Sequence, residues 1–167
     1  MKRYFVRPAK PGDLEAVYEL IAKQNTLDYG NALRTIDDLR KSWENINIET
    51  DTCTAHADNH LAAYAELLEG DSLYIYLADR GNIDLAFQLM TILEEKALAH
   101  KTETVKLFTK ISEKNNTLLQ LFASKGYRSN LSFFIMELVM DGPPPAPQWP
   151  EGIAVRPFVR DQDEQAT

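Results

Sequence analysis

The sequence predicts a mixed α/β (α+β) domain, with a mostly antiparallel sheet flanked by helices on both faces. Three observations carry that expectation. Three short runs of alternating apolar residues lie between Thr52 and Leu77, parted by Asp58-Asn59 and Glu69-Gly70-Asp71, which have hairpin-turn chemistry. After Asn82 the apolar spacing changes to a helical period. Strand-like and helix-like runs then alternate to Met140. A meander followed by two β/α steps implies a mixed sheet covered on both sides.

The expected element order is β-α-α-β-β-β-α-β-α-β. Tyr4-Phe5-Val6-Arg7 reads as the first strand, stopped by Pro8. Pro11-Gly12-Asp13 opens a helix, with Asp13 as its N-cap and Leu14, Val17, Leu20 and Ile21 on its inward face. Thr35-Ile36-Asp37-Asp38 starts a short second helix, with an acid near the first-turn amides. The meander follows as Thr52–His56, Leu61–Leu67 and Ser72–Leu77. Leu85, Leu89, Ile92, Leu93 and Ala97 share one face of a helix ending near His100, where a cation would complement the helix dipole. Val105–Thr109 reads as a strand, Asn115–Lys125 as a helix with Gly126 at its left-handed end, and Leu131–Met140 as a final strand. That last run is apolar on both sides, so it is expected to meet another domain or pair with another subunit.

Bulk properties narrow the function classes. The 167 residues suffice for one sizeable core, with 44% hydrophobic and 26% charged residues. The net charge of −7 and pI near 5.0 argue against nucleic acid as a partner, since phosphate backbones need clustered Lys and Arg. Cys53 is the only cysteine, which excludes an internal disulfide and a Cys-based zinc site, and it reads as a small core residue. His56 and His60 straddle a hairpin turn rather than one helical face, so no metal pair is expected. No run approaches 18 apolar residues and no signal-peptide core is visible, so the expectation is a soluble cytoplasmic protein without membrane partners.

The segment Asn116-Thr117-Leu118-Leu119-Gln120-Leu121-Phe122-Ala123-Ser124-Lys125-Gly126-Tyr127 resembles a motif of the GNAT (acyl-CoA-dependent N-acyltransferase) superfamily, Asn-x-x-Ala-x-x-Leu-Tyr-x-x-x-Gly-Phe. Asn116, Leu121, Gly126 and Tyr127 take the Asn, Leu, Gly and aromatic places. The element order and the Val-Arg-Pro opening strand extend the resemblance over residues 3–140. It implies acetyl-CoA as cofactor, an amine as acceptor, and direct attack of that amine on the acetyl thioester. The backbone groups of Ile75 and Leu77 would line the acyl-CoA cleft if a bulge opens their strand, and Glu66 is a candidate general base. The bland reading of Glu66 is a solvent-facing strand carboxylate.

Two places depart from the family pattern. Phe122 stands where the family has the Tyr that protonates the departing thiolate, and a phenyl ring has no proton to give. The family's pyrophosphate loop, Arg/Gln-x-x-Gly-x-Gly/Ala, corresponds to Ala78–Leu85. Here Arg80, Gly81 and Asn82 remain as candidate contacts, the second Gly is missing, and Asp79 and Asp84 would face the phosphates. Both departures point to a non-catalytic domain.

Residues 141–152 form a Pro-rich linker, a semi-rigid spacer. Beyond it, Val155-Arg156-Pro157 echoes Val6-Arg7-Pro8 at an offset of 149 residues, about one domain length. The expected organisation is a GNAT-like domain over 1–140, the linker, and over 153–167 the opening strand of a truncated second GNAT-like domain. The chain then reads as the degenerate N-terminal half of a tandem acetyltransferase. The alternatives are a binding or scaffolding module that no longer uses CoA, and a single-domain acetyltransferase with an atypical cofactor loop.

Overall fold

A 3-10 turn at Pro11–Asp13, five helices and a four-stranded sheet make up the computed structural model, which describes residues 3–100, 106–136 and 138–160. The elements are β1 (Phe5–Arg7), α1 (Leu14–Tyr29), α2 (Ile36–Glu44), α3 (Ile48–Asp51), β2 (Thr52–Ala57), β3 (His60–Leu68), β4 (Ser72–Leu77), α4 (Ile83–His100) and α5 (Asn116–Ser124). The strands pair antiparallel in the order β1-β2-β3-β4.

Local chemistry explains most boundaries. Both meander turns put two consecutive residues at positive φ, Asp58 and Asn59 at 50° and 64°, Glu69 and Gly70 at 55° and 75°. That is the primed geometry whose twist matches the flanking strands. Thr35 and Asp38 form a reciprocal capping box at the start of α2, as the sequence predicts. Gly126 adopts φ 89° just past α5, and the Tyr127 amide reaches back to the Phe122 carbonyl at 3.0 Å.

Strand alternation places a separate core on each face of the sheet. On one face Ala63, Ala65 and Leu67 of β3 and Leu73, Ile75 and Leu77 of β4 pack with Leu85, Leu89 and Leu93 of α4 and Phe122 of α5. On the other, Tyr64 packs with Val17, Leu20 and Ile21 of α1 and Leu39 and Trp43 of α2. Cys53 belongs to the first core, and burial pushes its thiol pKa up to about 12. It is an inert packing residue, as expected.

Several expectations need correction. Asp13 makes no side-chain cap for α1. Its carboxylate is drawn back to the Lys10 amide at 2.8 Å and to both terminal nitrogens of Arg7 at 2.6 and 2.8 Å. Helix α3, capped by Asn47, was not anticipated, because four residues carry no readable period. The strand expected at Val105–Thr109 is reduced among its described residues, 106–109, to one parallel bridge from Phe108 to Ser72. The strand expected at Leu131–Met140 does not form in residues 131–136 and 138–140, whose apolar side chains are exposed, Phe134 and Met136 among them. A run that is apolar on both sides is stable as a strand only when cover and a ladder partner exist for it. The His100 side chain and the tail from Asp161 lie outside the described residues.

The chain divides into two compact units, residues 1–133 and 134–167. The second holds no helix or strand among its described residues. Within it, Arg156 donates to the Pro157 carbonyl at 3.2 Å, the same local contact that Arg7 makes with Pro8 at 2.8 Å. Among the described residues no helix is long and apolar enough to cross a membrane.

The Arg7–Asp13 pair generates a pH prediction. The hydrogen bond from Arg7 holds the Asp13 carboxyl below its ordinary 3.8, against the opposing effect of burial. The folded carboxyl therefore binds its proton less readily than the unfolded one, and its stabilisation is present above 3.8 and lost as pH falls through the lower, folded value. In urea denaturation series, Arg7→Met is expected to destabilise the chain at neutral pH and to flatten the acid limb. An unchanged acid limb would show that the pair contributes nothing.

Candidate functional site

A cleft runs along the outer edge of β4. The register of β3 with β4, together with the Ala78 amide on the Ala62 carbonyl at 2.8 Å, turns the amides of Ser72, Tyr74 and Tyr76 toward β3. Those of Leu73, Ile75 and Leu77 consequently face the other edge. The Leu73 amide reaches the Phe108 carbonyl at 2.9 Å, and the pairing goes no further. The chain from Thr109 onward separates from β4, leaving a cavity of about 350 Å³. Its wall includes Ile75 and Tyr76 of β4, Thr109–Ser112, Asn115, Leu118 and Phe122, and from the opposite side Gln24, Asp28, Tyr29, Arg34 and Glu66. No bulge in the β3–β4 ladder is needed to open it.

Of the two backbone positions expected to line an acyl cleft, Ile75 meets the cavity at the unpaired edge. The Leu77 carbonyl instead accepts from Gln24 Nε2 of α1 at 3.0 Å, and Leu77 is not among the lining residues.

Glu66 is not a solvent-facing strand carboxylate. Two residues beyond Tyr64, it shares that residue's face of β3, and it is 1% exposed. Both carboxylate oxygens are held. Tyr64 Oη donates to Oε2 at 2.8 Å, and Arg34 Nη2 donates to Oε1 at 3.2 Å. Trp43 Nε1 in turn donates to Tyr64 Oη at 2.9 Å, so the chain of donors begins in the α2 core. Burial raises the pKa of Tyr64, Tyr74 and Tyr76, and all three keep their hydroxyl protons near neutral pH. Burial works against the Arg34 charge, but Tyr76 and Glu66 outweigh it and the guanidinium pKa is raised.

The loop before α4 is closed on itself. Gly81, at the place of the remaining loop glycine, gives its amide to Asp79 Oδ1 at 3.0 Å. Asn82 caps α4, with Oδ1 accepting from the Leu85 amide at 3.1 Å and Nδ2 donating to Tyr4 Oη at 2.6 Å. Arg80 is turned to Asp28 at the end of α1, at 2.7 Å. The Gly81 amide and the Arg80 and Asn82 side chains, the candidate pyrophosphate contacts, are thus each engaged within this chain, the amide by an aspartate.

Phe122 is 3% exposed, lines the cavity and packs edge-on against Tyr127, centroids 4.9 Å apart. The Tyr127 hydroxyl donates to Glu94 Oε1 on α4 at 3.3 Å, and Tyr127 is not a lining residue. Asn116 is exposed on the first turn of α5 and stands one residue too late for the motif, whose Asn lies six residues before Leu121; the preceding Asn115, 5% exposed, falls at that place, caps the helix and meets the cavity.

The structure thus brings together Glu66, Ile75 and Phe122, while Arg80, Gly81 and Asn82 lie in the closed loop and Asn116 stands apart. Sequence reasoning missed Arg34, Tyr64, Trp43, Gln24 and Asn115. Strand parity already paired Tyr64 with Glu66, whereas no local pattern pointed to Arg34, 32 residues away. Among the described residues no group of three or more His, Cys, Asp or Glu is arranged to hold a metal.

No protein-family model and no curated protein matches the sequence. Solved structures do. A GCN5-related N-acetyltransferase from Sphaerobacter thermophilus is 28% identical, with a TM-score of 0.75 over 98% of this chain and 55% of that one. This chain thus spans about half the length of that structure. A ribosomal-protein-alanine N-acetyltransferase from Brucella melitensis is 22% identical over 73% of this chain and 83% of its own, with a TM-score of 0.58. A putative acetyltransferase from Salmonella typhimurium, solved with its cofactor acetyl-CoA, is 17% identical over 77% and 81%, at 0.59. Among the described residues, those from 3 to 133 have the GNAT fold.

Tyr64 is the joint between Trp43 and Glu66. Tyr64→Phe leaves an indole N–H and a carboxylate oxygen each short of a partner, and is expected to cost about 1–3 kcal/mol in urea denaturation. A loss below half of that lower figure would mean that the surroundings re-satisfy both groups.

Proposed function

We propose that this chain is the degenerate, non-catalytic N-terminal domain of a tandem GNAT acetyltransferase, in which a second GNAT-like domain carries acetyl transfer from acetyl-CoA to an amine. The observation that carries the proposal is the closed loop before α4. A productive acetyl-CoA would have to displace the Asp79 carboxylate from the Gly81 amide and bring its phosphates beside that same charge. Phe122 at the acid position supports the same reading.

The tandem arrangement draws support from three sources. The echo of Val-Arg-Pro stands one domain length on. Arg7 and Arg156 share the same contact with the following proline. The Sphaerobacter structure is nearly twice as long as the part matched here. In this reading the exposed apolar run at 131–140 serves the second domain, or a second copy of the chain.

The second reading is a single-domain acetyltransferase that works without the usual loop. It is favoured by the presence of Glu66 and the outward edge of Ile75 in one cleft, a base candidate and a backbone donor lining the same cavity.

Calorimetric titration of acetyl-CoA into the 167-residue chain separates the two. The expected result is no saturable heat and no thermal shift at about 1 mM ligand, a free energy weaker than about −4 kcal/mol. Micromolar binding that is lost in Gly81→Asp would overturn the non-catalytic reading.

A further inference from the structure

We infer that the cavity beside β4 is a receptor for a small molecule bearing one carboxylate and an apolar body, with Arg34 as the group that takes the carboxylate. The inference rests on the reading of this domain as non-catalytic.

The Arg34–Glu66 pair is asymmetric. The carboxylate is 1% exposed while the guanidinium side chain is 23% exposed and lines the cavity. The charge a ligand can reach is therefore the positive one. Glu66 has Tyr64 on one oxygen and Arg34 on the other, an arrangement that buttresses the guanidinium from behind. Arg34 meets Glu66 through a single terminal nitrogen, end-on rather than in the two-point fork that guanidinium and carboxylate usually form. The rest of a rigid five-donor fork remains to be met by a second planar anion.

The surroundings favour the same sign. The acidic Asp28 on the wall is 10% exposed and already ion-paired with Arg80. Lys110 lines the wall from across the cleft, with its exposed ammonium 5.1 Å from the centroid of the Phe133 ring. The deeper wall is apolar, formed by Ile75, Ile111, Leu118 and Phe122. A volume of about 350 Å³ is at the small end of ligand pockets. Those features together describe an alkyl or aryl carboxylic acid, with its head on Arg34 and its body against Phe122. Phe122, useless as an acid, is well placed as part of that apolar wall.

The test is calorimetric titration of the intact chain with hexanoate and phenylacetate, each beside its neutral amide, and with hexylamine. The carboxylates are expected to bind, and the amides and the amine to bind roughly tenfold or more weakly, the discrimination of a charged hydrogen bond. Removing Arg34 alone would strand a buried carboxylate, so the variant is the double Arg34→Met/Glu66→Gln, with its circular dichroism and melting curve recorded. A folded double variant that no longer distinguishes hexanoate from hexanamide supports the inference. Hexylamine binding more tightly than hexanoate would overturn it. So would no carboxylate binding below about 10 mM, or hexanoate affinity unchanged in the double variant. If acetyl-CoA proves to bind, the non-catalytic reading fails on that separate titration, while the carboxylate series still reports on Arg34.

Discussion

Taking the Glu66 charge out of water is the constraint around which one side of this sheet is arranged. A carboxylate 1% exposed is tolerable only when both oxygens are met by strong donors. One donor, Tyr64, is fixed by β-strand alternation and steadied by Trp43 from α2. The other, Arg34, comes from the connection between α1 and α2. That connection is anchored in turn by Gly30 at φ 90° and by Asn25 Nδ2 on the Ala32 carbonyl at 3.0 Å. The packing of both helices on the sheet and the aim of one guanidinium are therefore parts of one arrangement.

The same economy appears where the family fold would meet its cofactor. Asp79 and Asn82 do for the loop before α4 what an external anion does elsewhere, meeting amides at a helix start. An internal carboxylate is present at all times, at a local concentration no dissolved phosphate matches, so it holds the loop in this form. In the reading proposed above, the fold is kept while the cofactor's footholds are lost through a few side chains, without any change in topology.

How much of this was legible from the sequence depended on range. The hairpins at Asp58-Asn59 and Glu69-Gly70, the capping box at Thr35 and the glycine stop at Gly126 are decided within four residues, and the sequence states them outright. Asp13 had the right chemistry for a cap, yet a bidentate arginine six residues earlier outcompeted the helix amides. The final strand at 131–140 had the right composition but needed a ladder partner that no local pattern reports. At the site, Phe122, Gly81 and Glu66 were visible as departures from or matches to a motif. The sign of the cavity was not, because it depends on which member of the Arg34–Glu66 pair lies outward, and that is a matter of depth.

The contact between Gln24 and the Leu77 carbonyl bears on solubility as well as on helix placement. An open sheet edge is a template on which another chain's strand can add. On β4 the near end is occupied by Phe108 on Leu73, and the far end by a glutamine side chain standing in for a peptide group. Between them the peptide groups of Ile75 and the amide of Leu77 are left, on an edge too short for a ladder. The cleft can therefore stay open to a small ligand without inviting a foreign strand to zip into it.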